Sequence, residues 1–239
     1  MNNIVFDLYG TLVDIHTDEY SNNFWKKFAK YLRKNGIHYN YKDAQAEYLS
    51  LCALHARKLQ EYHPDTLVEI NISDVFFDLC RKKRANILRS QSDIIGRKFR
   101  ELSTDYIRLY DDTIEVLTSL KAHNKKLWLL SNAQELFTMP ELKKLGLTEY
   151  FDGIAISSAA GIKKPDAGFA EYLFTQHGLA VSDCIMIGNE YASDVMVAKN
   201  SGMEYVYILS NLTPEREWEV YCGEGVKSLK EVECMVLGG

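Results

Sequence analysis

The stretch "IVFDLYGTLVD" (4–14) runs from an apolar segment into a turn carrying Asp7, Tyr9, Gly10 and Thr11. A carboxylate at the carboxyl end of a buried strand, next to a glycine free to turn tightly, is placed to attack an electrophile. The same residues also fit an Asx turn that only closes a loop. "LLSN" ends in Ser131 and Asn132, whose hydroxyl, amide and backbone N–H groups can face a crevice, although Ser-Asn after an apolar run also makes an ordinary helix N-cap. In "GIKKPD", Lys164 directly precedes Pro165. A lysine at a rigid Xaa-Pro joint can offer a fixed positive charge to an anion, or can be a plain surface lysine in a turn, as is expected of Lys163 beside it. "IMIGNEYASDV" supplies Asn189, Glu190 and Asp194. Oxygen donors gathered with Asp7 suit Mg²⁺, and the alternative is that Asp194 caps the following helix.

These residues fall at the ends of short apolar runs, "NIVFDL" (3–8), "KLWLLSN" (126–132), "GIAIS" (153–157), "CIMIGN" (184–189) and "YVYILS" (205–210). Runs of this length without alternation suit strands covered on both faces. Helix-length segments at 111–124, 133–146, 166–178 and 191–202 separate the later ones, which predicts a doubly wound, Rossmann-like α/β fold with a parallel sheet. Between the first two runs, Phe24, Phe28 and Leu32 recur at a helical spacing, and further helices are expected at 42–62 and 92–107. The expected organisation is therefore an α/β core domain of 1–14 and 109–239 with an inserted all-helical cap domain of 15–108. Ligands of open α/β sheets bind beyond the carboxyl ends of the strands, so the insertion would sit over the site as a lid. The tail reads as a short strand, a helix start and a loose end.

A net charge of −5 and 46% hydrophobic residues describe a globular chain without a positive field for nucleic acid or an anionic membrane. "RKKR" (81–84) is expected to be the solvated end of a helix. Cys52, Cys80, Cys184, Cys222 and Cys234 form no CxxC pair, which points to a reducing cytoplasm, with Cys184 as a small core residue. No basic segment precedes an apolar one at the start, so a soluble, unexported protein is expected.

In their order and strand-end placement, "FDLYGTLVD", "LLSN", "KKPD" and "IGNEYASDV" resemble the motifs of the haloacid dehalogenase-like hydrolase superfamily. The resemblance covers 1–14 and about 109–239, and the helical insertion looks like that superfamily's cap. It implies a nucleophilic Asp7 that forms a covalent intermediate, with Thr11, Ser131 and Lys164 orienting and neutralising the transferred group. Gly10 and Asn132 would line the substrate site. Mg²⁺ would be held by Asp7, Asn189, Asp194 and the backbone carbonyl of Tyr9, and the substrate would be a small phosphorylated molecule.

Two positions depart from the pattern. Most phosphatases of the superfamily have Asp where Tyr9 stands, as the acid and base of the reaction, and a phenol with a pKa near 10 is a poor base at neutral pH. They also have Asp where Asn189 stands, and an amide removes one charge from the metal site. Glu190 could compensate if its carboxylate turned inward. Tyrosine at position 9 resembles the 2-haloacid dehalogenases, whose fourth motif would instead place Ser at 189 and Asn at 191. A binding protein that keeps the fold without catalysis is the remaining alternative.

Overall fold

The computed structural model describes residues 1–221 and 223–238; Cys222 lies outside the described residues. Strands β1 (Asn3–Phe6) and β2 (Val13–Thr17) are followed by helices α1 (Asn22–Lys34), α2 (Tyr41–Tyr62), α3 (Ile72–Arg81) and α4 (Arg89–Ser103). Then come β3 (Thr104–Leu109), α5 (Thr113–Ala122), β4 (Lys126–Ser131), α6 (Glu135–Lys144), β5 (Gly153–Ile156), α7 (Ser157–Ala160) and α8 (Ala167–His177). The chain ends with β6 (Cys184–Gly188), α9 (Met196–Ser201), β7 (Glu204–Tyr207), α10 (Glu215–Tyr221) and α11 (Leu229–Gly238).

Five of the strands form one parallel sheet in the order β5-β4-β1-β6-β7. Side chains of a strand alternate between faces, and here both faces are apolar. Ile4, Phe6, Leu127 and Leu129 pack on one side with Val116, Leu117 and Leu120 of α5 and with Leu229 and Val232 of α11. Val5, Trp128 and Leu130 pack on the other with Phe169 and Leu173 of α8 and Val197 of α9. Continuous apolar runs were therefore the correct sign of doubly covered strands. Each expected strand is present, shorter by one to three residues at its carboxyl end, and β7 begins one residue earlier than expected.

The segment expected as helix over 92–107 is helical only to Ser103. Thr104–Leu109 instead pairs antiparallel with Val13–Thr17, making a two-stranded ribbon on which the four helices α1–α4 are carried. Asp14 of β2, buried, fastens this ribbon: it accepts from Arg108 Nε (2.9 Å) and Nη2 (2.7 Å), from Tyr106 Oη (3.2 Å) and from Asn211 Nδ2 (3.0 Å). The helices enclose their own aromatic core. Phe24 and Phe28 both meet Phe99 edge-on, at centroid distances of 4.8 and 5.1 Å, a favoured ring geometry. "RKKR" does end α3 and is exposed, with Lys82 paired to Glu47 at 2.5 Å.

The expected helix over 191–202 opens with a π-helical turn, Tyr191–Val195, before α9. In the tail, Val226 makes a single parallel bridge to Ile208, and the segment expected to be loose continues as α11. Cys52, Cys80, Cys184 and Cys234 are free, and Cys184 is buried in the core as expected. Among the described residues no helix is long and apolar enough to cross a membrane.

Candidate active site

Because β1 lies between β4 and β6 in the sheet, the residues that follow their carboxyl ends converge. Asp7 leaves β1, Ser131 ends β4, and Asn189 leaves β6. With Lys164 from the loop before α8, they line a polar cavity of about 180 Å³.

Asp7 is 6% exposed, and its backbone N–H donates to the Ile187 carbonyl at 2.9 Å, continuing the β1–β6 pairing by one residue. Its two carboxylate oxygens are treated differently. Oδ1 accepts from Lys164 Nζ at 2.7 Å and from Ser131 Oγ at 3.3 Å, whereas Oδ2 has only Thr11 Oγ1 at 3.5 Å. The second oxygen is thus the freer one to act as nucleophile or ligand. Gly10 makes the turn with φ 89°, and a Cβ there would fall on the Asn189 amide. Only glycine satisfies both the backbone and the space.

Lys164 is held from both ends. Its backbone N–H donates to Asn132 Oδ1 at 2.8 Å while Asn132 Nδ2 donates to its carbonyl at 3.0 Å. The Asn132 side chain is therefore committed to positioning the lysine. The Lys164 ammonium, buried, lies between Asp7 and Asp194, with 2.5 Å to Asp194 Oδ1. Burial alone would depress the lysine; the carboxylates of Asp194 and Asp7 outweigh it and hold its pKa above the ordinary value. Burial pushes the Asp194 carboxyl up, and Asp7 adds to this against the opposing pull of Lys164. Asp194 Oδ2 also accepts from the Glu190 N–H at 3.0 Å, and Gly188 leaves the space its carboxylate fills. It is a buried ion-pair partner, not an exposed helix cap.

Two buried carboxylates sharing one ammonium leave a net negative charge, and Asn189 Oδ1 stands 3.3 Å from Thr11 Oγ1 at the same edge. Among the described residues no three His, Cys, Asp or Glu side chains cluster as a metal site. A cation here would rely on the Asp7 and Asp194 carboxylates, the Asn189 amide and peptide oxygens, with water completing the shell. This all-oxygen donor set fits Mg²⁺, which retains waters and needs few protein ligands. Glu190 borders the same cavity but is exposed, and its Oε2 accepts from Ser193 Oγ at 2.6 Å.

Tyr9 lines the cavity, but its hydroxyl is engaged elsewhere. It donates to Glu141 of α6 and lies 3.1 Å from Thr138 Oγ1. Glu141 also takes Arg100 Nε of α4 at 2.7 Å, and the guanidinium sits 5.7 Å over the Tyr9 ring. Burial first, then the Glu141 charge, push the phenol well above the ordinary tyrosine range. The place of the expected acid is occupied by a link between the turn after β1, α6 and the inserted helices. Arg100 and Glu141 lie in no motif, so sequence inspection passed over them. Glu217 of α10 was missed for the same reason; it accepts from the Tyr191 and Ala192 N–H groups at 2.5 and 2.9 Å and so closes the turn that carries Asp194.

A family model for haloacid dehalogenase-like hydrolases matches residues 1–202. Glyceraldehyde 3-phosphate phosphatase of Methanocaldococcus jannaschii is 28% identical over 134 residues, 56% of this chain and 59% of that protein. Phosphoglycolate phosphatase of Colwellia psychrerythraea is 32% identical over 98 residues, 41% of this chain and 43% of that protein. The chain thus spans about half the length of these relatives. Among solved structures, a HAD phosphatase from Thermococcus onnurineus is similar over 100% of this chain and 99% of its own, with a TM-score of 0.62 and 20% identity.

Proposed function

This chain belongs to the haloacid dehalogenase-like hydrolase family, and on that premise we propose that it is a Mg²⁺-dependent phosphatase acting through Asp7 on a small phosphorylated metabolite or acyl phosphate. The observation that carries this reading is the Lys164 ammonium bound to Asp7 and Asp194 at 2.7 and 2.5 Å beneath a polar cavity large enough for a phosphoryl group.

Asp7 Oδ2 attacks phosphorus, the bond from phosphorus to the leaving oxygen breaks with its electron pair on that oxygen, and a phosphoaspartate forms. Water then attacks the same phosphorus, the bond from phosphorus to Asp7 Oδ2 breaks with its electron pair returning to the carboxylate, and inorganic phosphate leaves with one proton of the water while the other passes to solvent. Lys164 holds Oδ1 and so aims Oδ2, while Ser131, Thr11 and Lys164 supply donors to the phosphoryl oxygens. Mg²⁺, held by Asp7, Asn189 and Asp194, would supply charge neutralisation between the carboxylates and the phosphate. The Tyr9 hydroxyl, committed to Glu141, does not serve the leaving oxygen as an acid. General acid-base help is worth roughly 10²–10⁴ in rate, so acetyl phosphate should be cleaved far faster than sugar or nucleotide monoesters. Carbon–halogen hydrolysis would need an arginine free to hold a carboxylate beside Asp7, and Arg100 is instead bound by Glu141.

Inorganic phosphate release with Mg²⁺, measured for wild type and Asp7→Asn across such a panel, tests the proposal. The expected result is release that falls by at least about 10³-fold in the variant, the scale of losing a covalent nucleophile. Equal release by both proteins, or none by either, would overturn it.

A further inference from the structure

A second cavity, of about 430 Å³, lies between α6 and the inserted segment and shares the walls Tyr9 and Asn132 with the cavity at Asp7. That common wall makes it the neighbouring space on the inserted side of Asp7. The charges on its walls then decide what a group entering it can be. Glu19, Glu69 and Arg100 line it, and the Arg100 guanidinium is shared: Nε and Nη2 donate to Glu141 at 2.7 and 3.4 Å, and Nη1 stands 4.0 Å from Glu19.

Glu19 is short of partners. Among the described residues its carboxylate accepts no hydrogen bond, and Arg100 Nη1 stands 4.0 Å away. Burial raises its pKa, and burial does the same to Glu69, which accepts only neutral donors from Ile70, Gln134 and Ser157 at 3.1 to 3.4 Å. Lys163 acts on Glu69 from outside the cavity wall. Tyr48 and Cys52, also on the wall, carry no charge at neutral pH, because burial raises both groups and takes the thiol to about 11. The walls of the cavity therefore carry two carboxylates, Glu19 and Glu69, against one guanidinium that Glu141 holds more closely.

We infer that this cavity receives the leaving group of the substrate and selects a cationic one, so that the preferred substrates are phosphomonoesters of amino alcohols and not those of hydroxy acids. The inference rests on the phosphatase reading above. A carboxylate placed here would face Glu19 and Glu69 in a partly desolvated space, where like charges repel strongly, whereas an ammonium would give Glu19 a closer cation than the Arg100 guanidinium at 4.0 Å. A positive charge near the ester oxygen also stabilises the negative charge that develops there as the bond breaks. That help matters most in a site whose tyrosine cannot donate a proton.

The test uses non-hydrolysable phosphonates as competitive inhibitors of acetyl phosphate hydrolysis, so that leaving-group reactivity plays no part. The expected order of inhibition is 2-aminoethylphosphonate tightest, then ethylphosphonate, then phosphonoacetate, with on the order of tenfold between the extremes, which differ by two units of charge in a partly solvated space. Glu19→Gln and Glu69→Gln, made singly, should each narrow that ratio by about threefold or more, and because the ratio is internal to each variant it is independent of how much active protein is recovered. Phosphonoacetate binding as tightly as 2-aminoethylphosphonate in wild type, or ratios unmoved in the variants, would overturn the inference while leaving the phosphatase standing. Absence of Asp7-dependent acetyl phosphate hydrolysis would overturn both.

Discussion

Tyr9 most distinguishes this site, because a residue two places from Asp7 spends its hydroxyl on a structural contact. Its hydroxyl serves Glu141 and Thr138, so Tyr9→Phe should leave kcat for acetyl phosphate within about threefold and cost about 1 kcal/mol of stability, the usual net worth of one hydrogen bond. A loss of 10² or more in kcat would mean that the phenol does move protons. The pH dependence carries a definite sign. A phenol whose folded pKa is raised gives stability that is fully present below the ordinary tyrosine pKa near 10 and is lost as pH rises through the folded value. The stability gap between wild type and Tyr9→Phe should therefore narrow above about pH 10 in denaturant titrations. Asp7, Ser131 and Asp194 could be read from the sequence because each ends or closely follows an apolar run, and Lys164 because it directly precedes Pro165 ahead of a helix. The partner of Tyr9 could not, since Glu141 stands 132 residues along in a helix without a motif. Asn132 was visible as a polar residue at a strand end, but its pairing with the Lys164 backbone is a property of the folded loop alone.

Among the elements, α4 shows how tightly the inserted helices are fitted to the sheet domain. Gly96 lies in its interior, where alanine would ordinarily be favoured by about 1 kcal/mol. Here a Cβ would lie 2.6 Å from Leu136 Cδ2 of α6 and 2.7 Å from Phe76 Cδ2 of α3. The leucine end can shift, but the Phe76 ring is fully buried in the aromatic core. Overpacking of this kind costs about 1–3 kcal/mol, so Gly96→Ala should lower Tm, and a rise in Tm would show that α4 is seated more loosely than the contacts imply. A glycine in a helical pattern reads from sequence only as a weak point. The ribbon was likewise invisible: β2 and β3 are short, half-exposed strands whose pairing joins Asp14 to Arg108 across 94 residues. The strands of the large sheet were legible because burial on both faces removes polar residues from them, which is a signal local enough to see.

At the scale of the whole molecule, several polar contacts join the inserted helices to the sheet domain, among them Ile72 N–H to Gln134, Leu67 N–H to Asp166 and the ion pair Arg100–Glu141. Arg100 belongs to α4 and Glu141 to α6, so the pair spans the two sides of the cleft and holds the Tyr9 ring between them. Both side chains are largely buried, at 16% and 12% exposure, which makes removal of one partner worse than removal of both. Arg100→Gln would leave Glu141 and Glu19 without their cation, and about 1–3 kcal/mol of destabilisation is expected after allowing for residual solvent. Glu141→Gln would leave the guanidinium with Glu19 alone and should cost a similar amount. The double variant replaces the ion pair by two neutral amides able to bond each other, so its loss should be smaller than the sum of the single losses by about 1 kcal/mol or more. A double-mutant cycle on unfolding free energy measures this coupling, and losses that simply add would mean that the pair contributes nothing to holding the helices over the site. Acetyl phosphate KM in the same proteins reports the functional side of the contact: both single variants should raise it, because the leaving-group cavity is bounded by Arg100 and Tyr9 and loses its shape when the link between them is cut.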